Sequence, residues 1–271
     1  MELVDTHCHI HEATFLLEGD NATRARWLSA GSPDPGDMIA EAAEADVTKL
    51  ICVGTTVPDS QLAVDFVRER EHVWASIGIH PHEASVYAHN HRALQQFRNL
   101  AAKPKVVAIG ETGLDYYYEH SPKEAQAQLL RFQLELATEH NLPLIFHIRD
   151  AFEDFWPIFG QYKGLRGVVH SFTATTTELE AALERGLYIG LNGIMTFTKH
   201  SAQLEAAKKV PRERILIETD APFLTPIPYR GTICQPKHVR VTAEFLAQLR
   251  GERLEELAAA TTQNAGTLFN I

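Results

Sequence analysis

The feature that most constrains the fold of this chain is an alternation of short apolar segments with amphipathic helical segments. Strands that alternate with helices are typical of parallel βαβ units. Eight such units in a chain of 271 residues predict an α/β protein with a single (β/α)8 TIM barrel. The alternative, an open doubly wound sheet, typically uses fewer strands. The apolar, β-branched runs that predict the strands are 3–8, 49–54, 73–79, 106–110, 144–147, 167–170, 187–191 and 214–218.

Helical segments are expected between most of these strands. Two capping boxes predict helix starts, Ser121-Pro122-Lys123-Glu124 and Thr175-Thr176-Thr177-Glu178. The C-terminal segment 237–270 is predicted to be helical with a break near Gly251. Further helices are predicted over about 37–45, 59–71, 90–102, 150–162 and 200–209.

One long segment interrupts this alternation after the first predicted strand. Residues 11–36 are rich in glycine, proline and aspartate, so they predict a loop insertion within one domain spanning 1–271. Such a loop is either a surface insertion or a lid or wall of a substrate site.

Composition excludes several classes of protein. The 25 Lys and Arg residues against 35 Asp and Glu residues give a net charge of −10, which argues against a protein that coats duplex DNA by charge alone. The three cysteines have no metal-ligand spacing and fit a reducing compartment. No apolar run approaches the roughly 18 residues of a membrane span, and no cleavable signal is recognisable, so a cytoplasmic location is expected.

The strongest local motif is Asp5-Thr6-His7-Cys8-His9, at the end of the first predicted strand. Side chains alternate along a strand, so His7 and His9 point the same way and form a potential chelating pair. A single His-x-His motif is only moderately specific for metal binding, because many histidines are merely half-buried polar residues.

Other potential ligands also follow predicted strands. In a barrel the carboxyl ends of the strands build the active site, so residues far apart in sequence are expected to converge there. Four imidazoles and two carboxylates suit two divalent metal ions joined by a bridging carboxylate and a hydroxide, and such a pair predicts hydrolysis. Mixed nitrogen and oxygen ligands are compatible with Zn, Mn, Fe or Co and less typical of Mg alone, and the ions expected are Zn, Mn or Mg. The six candidate ligands are His7, His9, Glu111, His147, His170 and Asp220.

These motifs together resemble the TatD family of metal-dependent deoxyribonucleases, within the amidohydrolase-like TIM barrels. The resemblance runs from residue 4 to about residue 270. The motifs that carry it, in order, are Asp5-Thr6-His7-Cys8-His9, Gly78-Ile79-His80-Pro81-His82, Ile109-Gly110-Glu111-Thr112-Gly113-Leu114-Asp115-Tyr116, Phe146-His147-Ile148-Arg149-Asp150-Ala151, His170-Ser171-Phe172 and Glu218-Thr219-Asp220-Ala221-Pro222-Phe223-Leu224.

The resemblance implies a role for each ligand. His7, His9 and Asp220 would hold the first metal ion, and Glu111 would bridge the two ions. His147 and His170 would hold the second ion. Asp220 would also be catalytic, by taking a proton from the bridging water.

The resemblance also implies a function, a metal-dependent hydrolase that cleaves phosphodiester bonds of DNA as a 3'-5' exodeoxyribonuclease does. The substrates would be DNA ends or oligonucleotides, with no membrane and no obligate protein partner. One alternative keeps the metal ions but hydrolyses a small amide, ester, lactone or phosphotriester. A second alternative, a metal-binding scaffold without activity, would not need Asp220 as a base.

Three departures from the family pattern bear on substrate choice and leave the six ligands intact. Gln235 stands where the family usually has a glutamate, and Ala174 stands where it has a glycine. The loop at about 11–36 is the third departure, since it is longer than is usual in the family.

Several further residues are candidates for binding substrate. His80 is expected at the catalytic face, and Arg149 and Arg230 could clamp phosphate oxygens or instead pair with carboxylates. Glu218 is expected to point inward as a structural carboxylate or as a partner of a ligand histidine. Of the tyrosines 116–118, at least two are expected to pack against the protein rather than to stack on bases.

Overall fold

The computed structural model describes residues 1–14 and 22–271. In this part of the chain eight strands form one sheet, in which each strand neighbours the next in sequence. Strand β4 extends five residues beyond the predicted 106–110, so its last residues run alongside β5. The strands are β1 Leu3–Cys8, β2 Val47–Val53, β3 Val73–Ile77, β4 Val106–Asp115, β5 Leu144–Arg149, β6 Gly167–Val169, β7 Tyr188–Leu191 and β8 Ile215–Ile217.

Helices separate the strands in the order that a (β/α)8 barrel requires. None of the described helices is long and apolar enough to cross a membrane. The helices are α1 Ala22–Ser29, α2 Pro35–Glu44, α3 Val57–Val67, α4 Ala84–Tyr87, α5 His91–Leu100, α6 Lys123–His140, α7 Phe152–Phe159, α8 Thr176–Glu184, α9 Ser201–Lys209, α10 Val239–Arg250 and α11 Leu254–Phe269.

Of three sequence signals for helix ends, the structure confirms two and contradicts one. The capping box at Thr175 and Glu178 is confirmed. The box predicted at Ser121 is wrong, because the Ser121 hydroxyl donates to the His82 carbonyl (2.6 Å) and accepts from the Ser85 N–H (3.0 Å). The predicted break at Gly251 is confirmed, since this residue has φ 68° and ends α10.

The predicted loop at 11–36 is partly helical. Helix α1 lies inside it, so a loop was the wrong expectation for Ala22–Ser29, whereas residues 15–21 lie outside the described residues. Trp27 is 1% exposed and its indole Nε1 donates to the His9 carbonyl at 3.0 Å. This helix therefore supports the backbone of a candidate ligand.

The chain divides into two compact units, which we call the first unit (1–52 with 171–271) and the second unit (53–170). The first unit contains β1, β7 and β8, and helices α10 and α11 pack on β1 and β8. Its core contains fully buried aliphatic side chains, each of which stabilises the fold by about 1.5–3 kcal/mol. They include Leu3, Leu216, Leu246 and Leu257.

The second unit contains strands β3 to β6, with α6 packed on β4. Gly113 pairs with His147 across β4 and β5. A Cβ atom at Gly113, whose φ is 154°, would lie 1.8 Å from the His147 carbonyl oxygen. Only glycine permits this close approach, which fixes the backbone of His147 against β4.

Candidate metal centre

The first unit brings three of the predicted ligands together at the carboxyl ends of β1 and β8. His7 Nε2 lies 3.3 Å from His9 Nε2, so the two imidazoles share one side of the strand as predicted. Asp220 Oδ1 lies 3.3 Å from His9 Nε2 and 3.6 Å from His7 Nε2. Ligand atoms about 2.1 Å from a tetrahedral ion lie about 3.4 Å from one another, so these three atoms fit one divalent ion.

A buried hydrogen-bond network fixes this cluster. The Asp5 carboxylate accepts from the Thr219 N–H (2.9 Å), the Thr219 hydroxyl (2.6 Å) and the His7 N–H (3.2 Å). The Asp220 N–H donates to the His7 carbonyl at 2.8 Å. Burial raises the pKa of Asp5 well above its ordinary value, although the Thr219 donors oppose this. Asp5 is therefore a positioning residue between β1 and the turn that carries Asp220.

Asp220 itself has a left-handed backbone, with φ 60°. Aspartate tolerates this region better than most residues, but it is sparsely populated and is often found at functional sites. Glu218, two residues earlier, is 1% exposed and accepts from the Ser171 N–H at 2.6 Å. This bond agrees with the structural interpretation of Glu218, because it holds the backbone that follows His170.

The second unit brings the other predicted ligands together around a single carboxylate oxygen. Glu111 Oε1 lies 2.7 Å from His147 Nδ1, 3.1 Å from His170 Nε2 and 3.4 Å from His80 Nε2. Of these, Glu111 and His170 are buried. His80, predicted only as a substrate contact, is therefore part of this ligand cluster.

The electrostatics of this cluster suit a cation. Burial by itself would raise the pKa of Glu111, but His170, His80 and His147 outweigh it and hold that pKa well below its ordinary value. Burial lowers the pKa of His80 to about 4, so its imidazole is neutral near pH 7. Burial would lower the pKa of His147, but its hydrogen bonds to Asp115 and Glu111 outweigh burial and raise that pKa. An ionised carboxylate beside imidazole nitrogens is a donor set suited to Zn²⁺ or Mn²⁺.

Asp115 is a site residue that sequence reasoning did not single out. Its Oδ2 lies 2.9 Å from His147 Nε2 and 3.0 Å from His82 Nε2. Burial opposes ionisation, but the hydrogen bonds from His147 and His82 hold the pKa of Asp115 far below its ordinary value. The sequence did contain a signal for Asp115. Side chains alternate along a strand, and Asp115 lies four residues after Glu111, so the two side chains share one face of β4.

The two arginines predicted to bind phosphate contact other groups in the described structure. Arg149 is exposed, with its guanidinium carbon 4.1 Å from the centroid of the Tyr117 ring. Arg230 is also exposed, with its guanidinium 3.9 Å from the Phe197 ring centroid and Nη1 donating to the Thr225 carbonyl. Their roles toward substrate remain predictions.

Comparison with known proteins identifies the family. A family model described as TatD related DNase matches residues 4–270. The chain belongs to the TatD-related DNase family. The crystal structure of YjjV, a TatD homologue from Escherichia coli K12, is 27% identical, with a TM-score of 0.84 over 99% of this chain and 98% of that one. The predicted (β/α)8 barrel is thereby confirmed.

Two similar proteins differ in the function that their names give. The uncharacterized metal-dependent hydrolase YcfH of Escherichia coli K12 is 38% identical over 100% of this chain and 97% of its own length. The 3'-5' ssDNA/RNA exonuclease TatD of Shigella flexneri is 38% identical over 88% of this chain and 94% of its own length. As a member of the TatD-related DNase family, this chain belongs to the metal-dependent hydrolases.

Proposed function

We propose that this protein hydrolyses phosphodiester bonds of single-stranded DNA from the 3' end, using two divalent metal ions. The observation that carries the proposal is the pair of ligand clusters, each built from imidazole nitrogens around a carboxylate. A relative named as a 3'-5' ssDNA/RNA exonuclease supports the choice of substrate.

Each cluster is assigned one ion. His7, His9 and Asp220 would hold the first, and His147 and His170 would hold the second. Glu111 would be a ligand of both, as the family resemblance implies. Divalent ions in such donor sets polarise a phosphoryl oxygen and lower the pKa of a water molecule.

The chain's own residues perform the remaining tasks. The Asp220 carboxylate accepts a proton from the attacking water. Asp5 and Thr219 hold the turn that carries Asp220, and Asp115 orients the His147 ring by its bond to Nε2. The cytoplasmic location and the lack of an obligate protein partner, both expected from the sequence, stay predictions.

A second candidate function rests on YcfH, which aligns with the whole of this chain and is named as a metal-dependent hydrolase. The same residues could hydrolyse a small amide, ester, lactone or phosphotriester, because a polarised carbonyl and a polarised phosphoryl group need similar support.

The test is release of mononucleotides from a single-stranded oligonucleotide labelled at its 5' end, with Mg²⁺, Mn²⁺ or Zn²⁺ supplied in turn. We expect shortening from the 3' end that EDTA abolishes. Asp220→Asn should lower the rate by about 100-fold or more, whereas Asp37→Asn, on an exposed face of α2, is the matched control. Absence of release with all three metals would refute the nuclease proposal, and turnover of esters or lactones instead would favour the second candidate.

A further inference from the structure

The second unit exposes a cluster of aromatic side chains immediately after β4. Tyr117 and Tyr118 are 58% and 48% exposed, so the expectation that at least two of the three neighbouring tyrosines pack against the protein is wrong. Tyr116 alone is half-buried, with the Lys123 ammonium 3.8 Å from its ring centroid. Tyrosine rings are enriched at surfaces where proteins bind partners.

The exposed rings form an ordered surface. The rings of Tyr118 and His120 are stacked, 5.7 Å apart and 14° from parallel. Tyr117 meets Tyr118 edge to face at 4.8 Å. The Arg149 guanidinium lies 4.1 Å from the Tyr117 ring centroid and 4.7 Å from that of Tyr118. We call these four side chains the aromatic platform.

The aromatic platform is anchored to the ligand cluster by one carboxylate. Asp115 Oδ1 accepts from the backbone N–H groups of Tyr117 (3.0 Å) and Tyr118 (3.1 Å). Its other oxygen contacts His82 and the ligand His147. The backbone that carries the two tyrosine rings is therefore held in a fixed position relative to His147.

We propose that the aromatic platform is a stacking site for one unpaired nucleobase of a single-stranded nucleic acid. Flat rings beside a guanidinium are what proteins use to bind splayed bases without sequence preference, and the guanidinium adds cation–π attraction. A base inside a duplex has no free face to offer. The inference rests on the proposed function, because it places the neighbouring nucleotide beside the Glu111 and His147 cluster.

Binding can be measured independently of hydrolysis. A single-stranded oligonucleotide carrying 2-aminopurine at its 3' end loses fluorescence when that base stacks on an aromatic ring. Titration with the protein in EDTA, and stopped-flow mixing with the Mn²⁺-loaded protein, read the quench before any turnover. We expect quenching by the native protein in at least one condition.

Substitutions locate the stacking site. Tyr118→Ala and Tyr117→Ala should each weaken the quenching affinity about tenfold, and Tyr118→Phe should retain it because the ring remains. Tyr162→Ala, at a tyrosine whose hydroxyl contacts Glu135 of α6, is the matched control. Thermal unfolding of each variant confirms that these surface changes leave the fold intact.

The two proposals can fail separately. Quenching without hydrolysis would refute the exonuclease proposal and leave the aromatic platform as a base-binding site. Hydrolysis with no quenching in either condition, or with alanine variants that bind as the native protein does, would overturn the stacking site. On the native protein, an oligonucleotide with an abasic 3' residue should have a higher KM than the intact oligonucleotide. On Tyr118→Ala, the two oligonucleotides should have the same KM.

Discussion

Asp115 joins two functions in one side chain, because one oxygen holds His147 and His82 while the other holds the backbone of two tyrosines. A carboxylate that accepts from the far nitrogen of a ligand histidine orients the ring and makes the other nitrogen a better donor. The position of the ligand and the position of the aromatic platform are thus set by the same residue.

Asp115→Asn should therefore weaken metal binding more than it weakens folding. The amide keeps an acceptor for the tyrosine N–H groups but loses the charge beside His147. We expect metal affinity to fall by about 10–100-fold, measured by competition with a chelating dye. Asp150→Asn, at an exposed aspartate beyond β5, is the control. Equal affinity in the two variants would contradict the positioning role.

Residue types at strand ends were enough to predict six side chains that the structure groups by unit, namely His7, His9, Glu111, His147, His170 and Asp220. The roles of Asp5 and Asp115 were not predicted, because a buried carboxylate that supports a ligand looks the same in sequence as one that binds metal. His80 follows β3, and only the folded arrangement brings its Nε2 to within 3.4 Å of Glu111.

Helix α1 is an element that could not be predicted from the sequence. Trp27 is its only buried residue, so the segment has no apolar stripe from which a helix could be predicted. The strands, in contrast, were predictable because both faces of β1, β4 and β8 are buried. Such strands contain apolar runs, as in 106–109 of β4 and throughout β8.

Trp27→Phe should destabilise the first unit by removing the indole bond to the His9 carbonyl and by leaving a cavity. We expect a loss of about 1–3 kcal/mol in the free energy of unfolding, measured by urea denaturation. Trp74→Phe, at a half-buried tryptophan on β3, should cost less than about 1 kcal/mol. If the order of the two losses were reversed, α1 would not be a structural support for β1.

The short turn before α10 contains a histidine that links stability to pH. His238 is buried, and its Nδ1 accepts from the Gln235 N–H at 3.0 Å. Burial, aided by the charge of Lys237, lowers its pKa to about 4. The unfolded chain binds this proton near pH 6.5 and the folded protein does not, so stability is lost as the pH falls from about 7 toward 4.

This linkage should remove about 2 kcal/mol of stability between pH 8 and pH 5. His238→Asn keeps an acceptor for the Gln235 N–H but cannot titrate. Between pH 8 and pH 5, the unfolding free energy of this variant should therefore fall by about 2 kcal/mol less than that of the native protein. Denaturation curves at both pH values measure the difference, with His200→Asn at an exposed histidine as control. Parallel pH dependence of native and His238→Asn proteins would show that His238 does not carry this linkage.

At the scale of the whole molecule, the net charge of −10 limits how the chain can meet a polyanion. Bound divalent ions would add about four positive charges at the proposed site without creating a basic surface elsewhere. Contact with DNA should then be confined to a strand end, and affinity should depend on metal. Long duplexes offer no additional favourable contacts to such a protein.

The dependence of DNA affinity on salt concentration tests whether binding is confined to a strand end. Two arginines, Arg149 and Arg230, are the predicted phosphate contacts, and each contact to a single strand contributes about 0.7 to the slope of log affinity against log salt. We therefore expect a slope of about −1.4 for an oligonucleotide, measured by fluorescence anisotropy. Arg149→Gln should make it shallower by about 0.7, and Arg92→Gln, an exposed arginine on α5, is the control. A steep slope that grows with duplex length would instead reveal an extended basic surface and contradict binding confined to the strand end.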